Sequence, residues 1–304
     1  MRRTIAAAAG LLLAAPVLTA TGTAGAAPAV TAKACYLQAG AWTTGKDYVD
    51  RYVNATAPIT VKPTSTMAKN PYGARAVGLS SEWVWDDDFG DETLLTGYIV
   101  SGGALFSVGI STTKGTGGAV KSTDLTRIGG GWDQFHTLTR SRSADGPERT
   151  YALRNDGTLF RWNVGLTNGK PVWRAAGSAP GFAAVKSVAL LSRTSTYDTL
   201  LATTRSGALY TIHLPLTSPL KPVVKQVRSG TWQGFETLLT SRCGNYGTLL
   251  LGVDKDTGAG NLYAVGHANG TSTVIKSLGK VPATFNEPVT FAWQSYVDDQ
   301  VFGE

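Results

Sequence analysis

Cysteine, histidine and methionine are scarce in this 304-residue chain, at two, three and two copies. His136, His213 and His267 stand at unrelated positions, and only Cys35 and Cys243 could assist them. No metal-ligand spacing results, and no cofactor is implied. No Gly-x-Ser-x-Gly elbow occurs, which removes the usual frame for a nucleophilic serine. Charge is thin too: charged residues make up 16% of the chain, the net charge is +7, and no block of Lys or Arg appears. That pattern argues against nucleic acid as a partner. It would favour an anionic wall polymer or glycan only weakly. Long apolar runs are missing beyond the first residues, so no membrane partner is expected.

The one apolar run reads as an export leader. Arg2 and Arg3 open it, Ile5 to Leu18 follow, and Ala24-Gly25-Ala26 supplies the small-x-small pattern of a cleavage site. The run has about 14 residues, short of the ~20 a helix needs to cross roughly 30 Å of hydrocarbon. The arginines lack the rest of a twin-Arg motif, so the general secretory route is expected. Residues 1–26 are set aside as a signal peptide, and residues 27–304 are taken as one domain of a secreted, extracellular, monomeric protein. Its net charge falls from +7 to about +5 when Arg2 and Arg3 leave. With 42% hydrophobic residues, the chain can bury a substantial core.

What is abundant is a repeat of about fifty residues. Its anchor is a hairpin with a Gly turn, then a small or polar residue, Leu and an aromatic. Asp156-Gly157-Thr158-Leu159-Phe160, Ser206-Gly207-Ala208-Leu209-Tyr210 and Ala259-Gly260-Asn261-Leu262-Tyr263 carry it, with an earlier copy at Gly102-Gly103-Ala104-Leu105-Phe106. Gly103, Gly157, Gly207 and Gly260 are 54, 50 and 53 residues apart. An apolar-rich strand precedes each hairpin, starting at Phe135, Val185 and Phe235, with a looser copy near Ala76 to Ser80. A short strand ending in Gly and a bulky residue follows, fullest at Arg127 to Trp132 and close to it at Val227 to Trp232. Thr290 to Gln294 is a lone inner strand at the C-terminus, and Gly45 through Asn54 to Lys62 parallels Gly260 through Asn269 to Lys276. The two ends therefore read as halves of a fifth copy. The expected fold is all-β, a five-bladed β-propeller closed by N- and C-terminal strands in one shared blade, which removes unpaired sheet edges.

The cysteines fit that ring. Cys243 follows the inner strand of the fourth copy, and Cys35 opens the second strand of the closing copy. In a ring these turns share a face of adjacent blades, so a Cys35–Cys243 disulfide is expected in an oxidising compartment; two free thiols are the alternative.

Arg127-Ile128-Gly129-Gly130-Gly131-Trp132-Asp133-Gln134-Phe135, followed by Asn155-Asp156-Gly157-Thr158-Leu159-Phe160, resembles the repeat of the tachylectin family. The motif match is moderate around Thr231-Trp232-Gln233-Gly234-Phe235 and weak in the other copies. The resemblance implies a secreted five-bladed lectin that holds N-acetylhexosamines or a related polysaccharide between neighbouring blades, without catalysis. The family's Asp-Asn-Trp element is absent, although Trp173 lies near its place; Phe182 and Phe285 stand where Trp132 and Trp232 do. One to three degenerate sites, or none, are therefore expected. The candidate ligand contacts are Trp132, Trp232, Arg154, Asn155, Asp156 and Trp173. The tryptophans have a second reading, as wedges in the core between blades.

Other features have plainer readings beside sharper ones. Asp86-Asp87-Asp88 with Asp91 and Glu92 is either a solvated turn, a Ca²⁺ site or the acid pair of a glycoside hydrolase. Asp254 to Gly258 looks faintly like a calcium loop but falls where a hairpin turn is required. Arg142, Arg193 and Arg242 each follow an inner strand and would make one face basic, or be ordinary surface charge. A hydrolase and a protein-interaction propeller remain the alternatives to a lectin.

Overall fold

The computed structural model describes residues 35–113, 120–142, 147–244 and 247–295; the expected leader lies outside them. The N-terminal part forms β1 (Tyr36–Trp42), β2 (Tyr48–Asn54), β3 (Thr60–Val61) and β4 (Ser65–Ala68). The first copy follows with β5 (Leu79–Ser80), β6 (Trp83–Phe89), β7 (Glu92–Ser101), β8 (Ala104–Thr113) and β9 (Val120–Gly130). The second has β10 (Thr139–Ser141), β11 (Glu148–Leu153), β12 (Leu159–Thr167) and β13 (Lys170–Ala179). The third has β14 (Val185–Arg193), β15 (Tyr197–Thr204), β16 (Leu209–Pro215) and β17 (Val223–Arg228). The fourth has β18 (Thr237–Cys243), β19 (Gly247–Asp254), β20 (Ala259–Val265) and β21 (Ile275–Thr284), and the chain returns with β22 (Val289–Ser295). A 3-10 turn at Trp132–Gln134 is the helical element among the described residues, and no helix there is long and apolar enough to cross a membrane.

The second, third and fourth copies are each a four-stranded antiparallel sheet. The rest joins a ten-stranded sheet in the order β3-β2-β1-β22-β6-β7-β8-β9, with β4 on β2 and β5 on β7. Within it, β22 pairs antiparallel with β1 from Ala39↔Ala292 to Trp42↔Val289, seating the C-terminal strand beside the N-terminal one. Three parallel pairs, Trp293↔Trp83 to Ser295↔Trp85, connect this half to the first copy. The rings of Tyr48 and Phe291 stack at 5.8 Å.

Period-two alternation explains why such sheets pack on both sides. Leu190 and Leu200 enter a core shared by the second and third sheets, while Leu191 and Leu201, one residue on, enter the core shared by the third and fourth. Other clusters join the fourth sheet to β1 and β2, these two strands to the first copy within the ten-stranded sheet, and the first copy to the second sheet. Fully buried leucines such as Leu190 and Leu200 each contribute roughly 1.5–3 kcal/mol.

Cys35 and Cys243 form a disulfide with Cα atoms 5.4 Å apart, closing 208 residues between the fourth sheet and β1. On the chain-entropy model a loop of that size adds about 5 kcal/mol. Arg51 strengthens the same junction, donating to the Thr284 carbonyl at 2.6 Å and pairing with Glu287.

Four expectations change in detail. The inner strand of the first copy takes only Leu79–Ser80 from the stretch Ala76 to Ser80, as β5, and continues after a break as β6, both on β7. In the second copy, Phe135 makes an isolated bridge to Arg154 and the strand begins at Thr139, because the 3-10 turn at Trp132 occupies the chain just before. The backbone of Asp86 to Asp88 lies within β6, across a register shift, so it is an irregular strand and not a loop. Arg193 is 2% exposed and donates to Gln294 Oε1 at 2.8 Å, so it is a core group and adds nothing to a basic face. Asp254 to Gly258 is a turn in which Asp254 Oδ1 accepts the Thr257 N–H at 3.0 Å.

Candidate functional site

The aromatic that follows each outer strand docks on the Gly turn of its own sheet. The N–H of Trp132 donates to the Gly103 carbonyl at 3.0 Å, and those of Phe182, Trp232 and Phe285 donate to Gly157, Gly207 and Gly258, each at 2.9 Å. Gly157 and Gly207 hold φ of 85° and 91°, conformations an L side chain rarely adopts, so the turn needs glycine there. This docking aims each ring at the next sheet. Trp132 and Trp232 are 7% and 5% exposed, as wedged as Phe182 and Phe285. Both therefore occupy junction core, and neither offers a free ring face.

Around Trp132 the sequence adds more rings. Phe135, Trp162 and Trp173 lie with centroids 4.8, 5.4 and 5.8 Å from it. Phe160 and Trp162 alternate along β12 and so share one face; their rings stack at 5.6 Å and 17°. Trp173, across from Val164 on β13, sits 5.7 Å from Trp162 and meets Tyr98 of the first sheet edge-on at 4.9 Å. Phe160, Trp162 and Trp173 are half-buried. Trp132 is thus the floor beneath a strip of three rings.

The strip ends at the hairpin turn. The Arg154 guanidinium lies 4.9 Å from the Phe160 ring centroid and pairs with Asp156 at 2.5 Å. That pairing, aided by the Thr158 N–H at 2.9 Å, holds the Asp156 carboxyl well below the usual range. Asn155 is exposed, and its Oδ1 lies 3.1 Å from His136 Nδ1. His136 Nε2 and Trp173 Nε1 are buried without a hydrogen-bond partner among the described residues. Of the candidates read from sequence, Trp132, Trp173, Arg154, Asn155 and Asp156 come together here. Trp232 lies at another junction, against Phe235 and Tyr263 at 5.6 and 4.9 Å. Phe160 and Trp162 were missed as site residues; their signal was the Phe-x-Trp alternation directly after the Gly turn.

The side chains of Asp86 to Asp88 lie outside the described residues. Asp91 and Glu92 pair with Lys121 at 3.3 and 3.1 Å, and no cluster of three or more His, Cys, Asp or Glu suited to a metal occurs among the described residues.

No family model matches the chain, and no curated protein does. Similar solved structures include the Aleuria aurantia lectin in complex with Fucalpha1-6GlcNAc, at 14% identity and TM-score 0.45 over 81% of this chain and 79% of that one. AofleA from Arthrobotrys oligospora is 12% identical, with TM-score 0.45 over 88% and 77%. SapL1 lectin in complex with alpha methyl fucoside is 10% identical, with TM-score 0.42 over 81% of each chain. Likenesses this distant fix neither the family nor a ligand.

Proposed function

We propose that this chain is a secreted, monomeric, five-bladed β-propeller that binds glycans and has no catalytic role. Residues 1–26 would be its export leader and residues 27–304 its single domain, with β22, β1, β2 and the short strands on β2 as the shared blade. Five core clusters support a ring, four of them joining successive sheets and one joining β1 and β2 to the first copy within the ten-stranded sheet, as do the β1–β22 pairing and the tie from Cys35 to Cys243. The tachylectin-like motif at Arg127 to Phe135 and Asn155 to Phe160 supports the lectin reading and favours an N-acetylhexosamine or a related polysaccharide.

The observation that carries the reading is the half-buried strip of Phe160, Trp162 and Trp173, ending in Arg154, Asn155 and Asp156. Sugar rings present C–H faces that lie on aromatic rings, while their hydroxyls reach nearby polar groups. Trp132 supports the strip from below; Trp232 would do the same for a lesser site with Tyr263. Titration calorimetry with N-acetylglucosamine and N-acetylgalactosamine oligomers and with wall polysaccharides is the test. Binding that Trp162→Ala weakens more than tenfold would bear the reading out. Binding to none of them would end it.

A further inference from the structure

A cavity lies apart from the three rings of the aromatic strip. Its volume is about 170 Å³, and its wall takes one segment from each part of the molecule: Gly78–Ser80 with Glu82, His136–Leu138, Lys186–Ala189, Glu236–Thr240 and Pro288–Ala292. His136, Lys186 and Glu236 are 50 residues apart in sequence, so three successive copies present an imidazole, an ammonium and a carboxylate at one repeat position. Lys186 pairs with Glu236 and donates to the Gln233 carbonyl at 2.5 Å, and Glu236 Oε2 accepts the Lys255 N–H at 2.8 Å. The wall's paired charges therefore neutralise each other. Glu82, 9% exposed, accepts the Arg140 N–H at 2.5 Å, and burial pushes its carboxyl up to about 7. Near neutral pH it can thus give as well as take a hydrogen bond. His136 Nε2, buried and without a partner among the described residues, belongs to a side chain in the same wall.

We propose that this axial cavity is a binding site for one neutral polyhydroxylated ring, with Glu82, His136 and the half-buried Thr237 as its contacts. Three observations select that class. Drug-sized pockets span about 300–1,000 Å³, so this one has room for a single small ring and not for an oligosaccharide. Self-neutralised wall charge disfavours an ion. A cavity-lining carboxyl that both donates and accepts matches hydroxyl groups, which do both. The inference does not rest on the aromatic strip, because no ring of that strip is in this wall.

Ligand-observed NMR titration of the full chain with glucose, galactose, N-acetylglucosamine and myo-inositol tests it. At least one should bind with a dissociation constant tighter than about 10 mM. Glu82→Gln should weaken that binding about tenfold while leaving polysaccharide binding at the strip unchanged. If Glu82→Gln does not fold, Thr237→Phe replaces it, filling the wall from the fourth sheet with the same expected loss. A trisaccharide of the bound sugar that competes for the cavity would identify a chain end as the ligand, and one that does not would identify the free ring. No binding of any of the four compounds overturns the proposal. So does binding that Glu82→Gln, or Thr237→Phe where it is used, leaves untouched.

Discussion

The junction between the first and second sheets and the junction between the third and fourth start from the same repeat and end with different surfaces. Each has a buried tryptophan docked on a Gly turn and a phenylalanine three residues on: Trp132 with Phe135, Trp232 with Phe235. Beyond that they part. Phe160 corresponds to Tyr263, and Trp162 corresponds to Val265, which is 2% exposed. The β20–β21 pair ends at Val265↔Ile275, whereas β12–β13 continues through Val164↔Trp173 to Thr167↔Lys170. Trp173 exists because the second hairpin is longer. Arg154 stands over Phe160, but the residue 100 positions later is Asp254, turned inward to cap its own loop. The inner-strand ties differ as well: Arg140 N–H meets the carboxyl of Glu82, while Thr240 Oγ1 donates to the Leu190 carbonyl at 2.6 Å. A shared wedge thus holds two junctions together, and what the outer residues add decides which one can bind.

The largest effect should be the one the junctions share. Trp132→Ala and Trp232→Ala each remove a buried ring and should each cost about 3–5 kcal/mol, read as a fall in the chemical-denaturation midpoint. A large loss at one site and almost none at the other would break the equivalence of the two wedges. Next in size is a difference in pH response. The Glu82 carboxyl moves from 4.5 to about 7 on folding, so the folded chain holds a proton that the unfolded chain releases. Stability from this group is fully present below about pH 4.5 and is lost as pH rises through 7, at most about 3 kcal/mol. Glu82→Gln should flatten that part of the melting-temperature profile, whereas Thr240→Val, at the neutral tie, should lower the whole profile without changing its slope.

Sequence reading reached the repeat, the alternating strands, the pairing of the chain ends and the disulfide, because all of these depend on period and spacing. It stopped where local backbone geometry decided the outcome. The 3-10 turn at Trp132 delayed the strand expected from Phe135 to Thr139. The inner strand of the first copy breaks between β5 and β6, and the acidic residues Asp86 to Asp88 belong to the second piece. Arg193 was misread because nothing in its neighbourhood signals that Gln294, 101 residues away, will receive it inside the molecule. At the candidate site, Arg154, Asn155, Asp156, Trp132 and Trp173 were legible from motif and position. Phe160 and Trp162 were not, because a strand residue's solvent exposure depends on how far its neighbouring strand extends.

Trp162 is half-buried and overlies Trp132, so Trp162→Ala should reduce affinity for an N-acetylhexosamine oligomer more than tenfold in calorimetry, as central aromatic anchors do. Tyr263→Ala should change that affinity less than threefold. Equal losses at the two positions would mean that both junctions bind and that the extension carrying Trp173 is irrelevant.

The smallest effect concerns the turn that only the first junction closes with an ion pair. Arg154 and Asp156 are exposed enough that water screens their attraction, so Arg154→Ala should leave the melting temperature within error. Its consequence is electrostatic and local. Arg154 holds the Asp156 carboxyl well below the ordinary range, so Asp156 stays ionised across the whole acidic range in which other aspartates titrate. Glycan binding that uses Asp156 as an acceptor should therefore be flat from about pH 7 down to about pH 4, near the ordinary aspartate value. In Arg154→Ala the carboxyl loses its largest restraint and rises toward the ordinary range, with the Thr158 N–H still holding it down in part, so binding should weaken more with acid than it does in the wild type. Calorimetry at both ends of the range reads the difference. A wild-type affinity that falls with acid as steeply as the variant's would remove Asp156 from the site and leave the aromatic strip to bind alone.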